Sequence, residues 1–228
     1  MYRIVTISAI LAILLGCSSG ENRNIEYLPA ATGKPGDIVI VIDSTQWNGK
    51  VGRALKDIFL AQVQGLPREE YLFNVINVHP GARIELLKQV RNVIFVFTLD
   101  KDTPGVVNIA RGFTPETLQQ IRQDTSYYVN WRQDVFSRGQ EVVYLFGDTE
   151  DRLIHHLKQQ GQSLVDFFNK AERERLASLY FKAKTAQHVA SFMRDEYQCE
   201  LRVPTGYKLA DKTDRFVWFR RIEPQADK

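Results

Sequence analysis

"DIVIVID" (residues 37–43) and "NVIFVFTLD" (residues 92–100) decide the fold of this chain. Each is an unbroken run of β-branched and aromatic residues rather than an alternation of apolar and polar ones. A strand with one face in water alternates, whereas a strand covered on both faces does not. The two runs therefore predict strands inside a largely parallel sheet covered by helices.

Between them, "NGKVGRALKDIFLAQ" (48–62) places Val51, Ala54, Leu55, Ile58 and Phe59 at helical spacing along one face. A Pro-bearing loop, "GLPREE" (65–70), leads to a strand in "LFNVINV" (72–78), and a short helix is expected around 82–90. The order is β-α-β-α-β, and such crossovers make neighbouring strands parallel.

Beyond residue 100, Thr114-Pro115-Glu116 reads as a helix start, with Pro at the first helical position. "SYYVNWRQDVFSRGQ" (126–140) has no clean period and is assigned no element. "EVVYLF" (141–146) is a strand, and Asp148 or Thr149 caps the helix after it. One helical phase then runs from about 150 to 182 through Leu153, Ile154, Leu157, Leu164, Val165, Phe168, Ala171 and Leu179. Gly161 lies on the same face; it costs about 1 kcal/mol relative to Ala and allows close packing. A helix at 185–197 is expected to bury Ala186, Val189, Ala190, Met193 and Tyr197. Two strands, "CELRV" (199–203) and "RFVWFR" (215–220), close the chain around "PTGYKLADKTD" (204–214). The fold class expected is α/β: a mixed, largely parallel sheet flanked by helices, with a long helix in the C-terminal half.

If the first three strands are parallel, Asp43, His79 and Asp100 all stand at their carboxyl ends, with Ser44 and Trp47 just beyond Asp43. Open α/β sheets bind ligands along that edge. Carboxylate, imidazole and carboxylate can hold a metal or perform acid–base catalysis. The plainer reading is that Asp and Ser end strands because they cap helices and begin turns, and that His79 only precedes the turn at Pro80-Gly81. His155 and His156 point about 100° apart on their helix and cannot share one metal as an i, i+4 pair would. Those two and His188 are expected in solvent. In "AERERL" (171–176), Glu172 and Arg175 stand three apart at the edge of the apolar stripe. An ion pair along the helix is the favoured reading; the sharper one is charge presented to a partner or pocket. Trp47, Trp131 and Trp218 suit either a core or the stacking of a glycan.

The chain begins "MYRIVTISAILAILLGCSSGENR". Its apolar run, residues 4–15, is shorter than the roughly 20 residues a bilayer span needs and has the length of a secretory h-region. The following Leu14-Leu15-Gly16-Cys17 resembles the bacterial lipobox. That resemblance implies cleavage before Cys17, a diacylglycerol on its thiol and acylation of the new amine. Leu15 stands where a smaller residue is more usual. With Cys17 lipidated, Cys199 has no partner for a disulfide, and it is read as a small core residue.

Residues 1–16 are thus a signal peptide, residues 17–36 a lipidated Cys and flexible tether, and residues 37–228 an α/β domain. Losing Arg3 with the signal lowers the net charge from +3 to +2. That is no footprint for nucleic acid. Neither a phosphate loop nor a G-x-S-x-G elbow, H-E-x-x-H, CxxC or dinucleotide fingerprint occurs, and no cofactor is implied.

"LPAATGKPGDIVIVIDSTQWNGKVG", "VVYLFGDTEDRLIHHL", "NKAERERL" and "RVPTGYKLA…FVWFRR" resemble one uncharacterised family of lipoproteins common in Bacteroidota, number 4837 of the domain-of-unknown-function series. The resemblance implies an envelope lipoprotein, on the outer membrane and facing the periplasm or the surface. It carries no catalytic residue over, and its members usually continue past the "FVWFRR" region, so this chain is either a short member or residues 37–228 are the N-terminal part of a longer architecture. The function expected is a non-enzymatic binding or assembly accessory protein, held to the membrane by its lipid and serving an envelope protein partner. The alternative is a lipid-anchored hydrolase using Asp43, His79 and Asp100.

Overall fold

The computed structural model describes residues 28–81, 87–182 and 184–221. Five strands form one sheet: β1 (Asp37–Ile42), β2 (Asn74–Val78), β3 (Asn92–Thr98), β4 (Val129–Gln133) and β5 (Glu141–Gly147). Their order is β2-β1-β3-β5-β4. The first four in that order are mutually parallel, and only the edge strand β4 runs antiparallel, against β5.

The continuous apolar runs are strands with two buried faces. Ile38, Ile40, Ile42, Ile94, Val96, Val143 and Leu145 enter one hydrophobic cluster. Val39, Val41, Val93, Phe97, Val142 and Phe146 enter the other. The first face is covered by α2 (Lys50–Phe59) and α5 (Glu150–Tyr180), the second by α3 (Pro104–Ala110) and α4 (Pro115–Gln123). A further short helix, α1 (Ser44–Asn48), links β1 to α2. The fold is therefore a mixed, largely parallel α/β sheet between two helical layers, with the expected long helix after β5.

The first face is held by three rings in edge-to-face contact, Phe59, Phe73 and Phe168, with centroids 6.0 to 6.4 Å apart. Such contacts add about 0.5–1.5 kcal/mol each beyond burial. Where α5 crosses α2, Gly161 sits against Ile58, and a methyl group there would meet Ile58 Cγ1 at 2.8 Å. The helix overshoots the sheet, however. Its 31 residues span about 46 Å, against about 23 Å for the seven residues of β5. Leu179, expected on the buried face, is consequently exposed.

Three further expectations need correction, and a fourth lies partly outside the described residues. The helix proposed around 82–90 falls partly on residues 82–86, outside the described ones, and Leu87–Gln89 form a turn. The tether does not extend to residue 36. Ala31 donates to the Arg138 carbonyl at 2.9 Å and Arg138 to that of Pro29 at 2.8 Å, so the backbone is already docked on the body there. "CELRV" is no strand; the C-terminal hairpin is β6 (Tyr207–Thr213) with β7 (Phe216–Arg221). Cys199 is exposed, because α6 (Gln187–Tyr197) ends at Gln198 in the left-handed conformation and the chain turns outward. Val203 is the residue that enters the small third cluster, with Ala186, Val189 and Met193.

Candidate functional site

Asp43 follows β1 and caps α1. Its Oδ1 accepts from the Thr45 amide at 2.9 Å and the Thr45 hydroxyl at 2.7 Å. The residue is 4% exposed. β1 and β2 are parallel neighbours with Val41 opposite Val78, so the residues after them lie side by side. His79 thus comes within 3.7 Å of Asp43 Oδ2 through its Nε2, while its side chain stays 46% exposed. The Gly81 amide donates to His79 Nδ1 at 3.0 Å. A neutral imidazole carries one proton; with Nδ1 accepting, that proton is on Nε2, facing the carboxylate.

From the other side the start of α3 closes on Asp43. Thr103, the cap of α3, adds a hydroxyl hydrogen bond to its carboxylate. A methyl group at Gly105 would collide with Oδ2 and force the carboxylate to shift. Burial by itself raises the pKa of Asp43. The hydroxyl and amide of Thr45 and the Thr103 hydroxyl, with the nearby His79 a smaller influence, outweigh it and hold the carboxyl below its ordinary range.

Asp100 goes elsewhere. Its Oδ2 accepts from the backbone amide of Glu150, the first residue of α5, at 3.4 Å. Asp43 and His79 are therefore brought together, and Asp100 braces the next helix. Among the described residues no group of three or more His, Cys, Asp or Glu is placed to hold a metal.

The same edge contains a residue that the sequence reading missed. Gln46, 1% exposed, donates from Nε2 to Thr98 Oγ1 at 2.8 Å and to Glu150 Oε1 at 3.3 Å, and Lys101 approaches Glu150 Oε2 to 3.4 Å. Among the described residues its own Oε1 has no hydrogen-bond partner. A signal existed: Gln46 stands three residues after the cap Asp43, where a capping box carries Glu or Gln. The box would send Gln46 back to the cap, whereas here it reaches across the sheet edge to β3 and α5.

The "AERERL" pair lies at the opposite, amino edge. The ion pair exists, Arg175 Nη1 to Glu172 Oε1 at 2.6 Å, but it belongs to a buried network rather than to a helix surface. Arg175 also donates to Asn92 Oδ1 at 2.9 Å, the Gly139 carbonyl at 3.0 Å and the Arg91 carbonyl at 3.3 Å. Asn92 Nδ2 donates to Glu172 Oε1 and to the Asp37 carbonyl, both at 2.9 Å, and Arg91 Nη2 lies 3.3 Å from Glu172 Oε2. Helix α5 is thereby bolted to the starts of β1 and β3.

Of the other histidines, His155 and His188 are exposed as expected. His156 is not simply solvated: its ring stacks on Tyr128 at 4.4 Å and its Nε2 meets the Thr125 carbonyl at 2.7 Å. None of the three tryptophans is buried. Trp47 is half-buried under Lys56 Nζ at 4.3 Å, while Trp131 and Trp218 are exposed.

Residues 31–181 match a family described as a domain of unknown function (DUF8532). The match takes in the whole sheet and α1–α5 and stops at the end of α5. The resemblance to family 4837 is corrected by this match to a different family, and the Bacteroidota affiliation that it implied loses its basis. No curated protein and no solved structure matches the chain.

Proposed function

The chain belongs to the family DUF8532, a domain of unknown function, and from that premise we propose that it is a lipid-anchored, non-enzymatic binding protein of the cell envelope. Membership brings no activity with it, so the reading rests on the residues. The lipobox-like Leu14-Leu15-Gly16-Cys17 after a short apolar run supports export and anchoring to a membrane by lipid. No helix among the described residues is long and apolar enough to cross a membrane; the anchor proposed is the lipid on Cys17.

The binding edge is the carboxyl end of β1, β2 and β3, where strand order reverses between β1 and β3. One observation carries binding over catalysis. His79 has its Nδ1 lone pair taken by the Gly81 amide and its Nε2 turned to Asp43, so in this conformation it offers no free lone pair to a substrate proton. Asp43, held below the ordinary carboxylate range by its donors, is a weak base as well. The pair suits a fixed contact surface, with the half-exposed His79 ring as the part a partner touches.

The test is purification from gently solubilised membranes of the wild type, Cys17→Ala and His79→Ala. The wild type is expected in the membrane fraction with a stoichiometric partner. Cys17→Ala should move to the soluble fraction, and His79→Ala should stay on the membrane, folded, without the partner. The hydrolase reading keeps one observation, the 3.7 Å approach of His79 to Asp43. Substrate turnover by the purified protein that disappears in Asp43→Asn would replace the binding reading with it.

A further inference from the structure

The C-terminal hairpin presents a face that no other described element covers. Helix α6 packs on one side of it, where Tyr207, Val217 and Phe219 join Val189 and Met193. The antiparallel register places Lys208 opposite Arg220, Asp211 opposite Trp218 and Thr213 opposite Phe216 on the other side. Along β7, Phe216, Trp218 and Arg220 thus point the same way at every second residue. Phe216 is 55% and Trp218 52% exposed, and Lys208 and Arg220 are exposed with them. On this face Lys208 and Arg220 are the cations and Asp211, opposite Trp218, the anion, while Lys212 lies on the other face, 3.3 Å from Glu196.

We propose that this face is a contact for the surface of an anionic phospholipid bilayer. Tryptophan and phenylalanine beside lysine and arginine form the combination that settles at the headgroup level: the rings enter the interface and the cations meet the phosphates. A second copy of the chain is a poor occupant where the two-fold axis would pass near Lys208 and Arg220, because like charges then meet. The core of a protein interface is also depleted in lysine. The inference takes its setting from the envelope reading above. From Cys17 to the docked Pro29 the chain can extend at most about 40 Å, which keeps the body near the membrane that holds the lipid.

The test uses the chain from Ser18 onward, which contains every described residue and no lipid. It is sedimented with vesicles of phosphatidylcholine alone and of phosphatidylcholine with phosphatidylglycerol in equal parts. Binding is expected to the anionic vesicles only, weakening as salt rises. Lys208→Gln with Arg220→Gln should lower the partition roughly 25-fold, about fivefold for each cation. Phe216→Ser with Trp218→Ala should lower it roughly tenfold and abolish the blue shift of tryptophan emission, with the thermal midpoint unchanged. Equal binding to neutral vesicles, partition indifferent to both double variants, or a dimer that Trp218→Ala dissociates would each overturn the proposal. Because Cys17 is absent from the sample, failure here leaves the lipid anchor standing. Loss of the anchor reading by fractionation of cells would in turn leave the vesicle result intact.

Discussion

Asp43 shows how one short side chain ties three elements together. It caps α1, faces His79 after β2 and receives Thr103 from the start of α3. Because the folded state depresses its pKa, its charge adds stability that is fully present above the ordinary aspartate pKa of about 3.9 and is lost as pH falls through the lower folded value. Asparagine caps helices nearly as well as aspartate, so Asp43→Asn isolates the charge. In urea titrations the wild type should be the more stable at neutral pH, and the gap should close on acidification below about pH 4. Curves that stay parallel down to the acid limit would show that the charge contributes nothing. Gly105→Ala is expected to cost about 1–3 kcal/mol in the same measurement, since the added methyl must displace the Asp43 carboxylate. Asp43 was legible as a strand end and a cap. Thr103 and Gly105 were not, because nothing near them in sequence indicates that they meet a residue so far upstream.

At the scale of elements, α5 shows the difference between a surface pair and a bolt. Exposed ion pairs contribute about 0–1 kcal/mol. Removing one partner of a buried network costs about 3–5 kcal/mol, since the other charge is left without compensation. Arg175→Ala should therefore shift the urea midpoint by an amount in that range, while Arg173→Ala, on the exposed side of the same turn, should change stability by no more than about 0.5 kcal/mol. Equal effects would remove the network from the account. The spacing of Glu172 and Arg175 was legible, but their burial was not, because Arg91, Asn92 and Gly139 are supplied by other elements. Strands show the same divide. The runs in β1, β3 and β5 announce themselves, whereas "VNWRQ" in β4 and "YKLADKT" in β6 have exposed, polar faces and no period to read.

For the whole molecule, packing separates a large body from a small one. The two clusters on the faces of the sheet are built by residues up to Phe168. The third, beneath the hairpin, has four buried hydrophobic members among the described residues: Ala186, Val189, Met193 and Val203. Little buried apolar surface means low local stability. Amide hydrogen exchange should accordingly be orders of magnitude faster in β6 and β7 than in β1, β3 and β5, and the hairpin should open below the global transition. Equal protection in the two sheets would show a single cooperative unit instead. The order of side chains along the chain was enough to determine that β1, β3 and β5 are buried, that helices alternate with them, and that a long amphipathic helix comes after β5. Those properties are local: a residue's tendency to leave water and its spacing from the next are written within a few positions. Only the tertiary structure decided that β4 joins the edge antiparallel, that Asp100 parts from Asp43 and His79, and that the aromatic face of the hairpin stays uncovered. Each of these depends on which distant segment arrives opposite, and a distant partner leaves no mark on the sequence beside it.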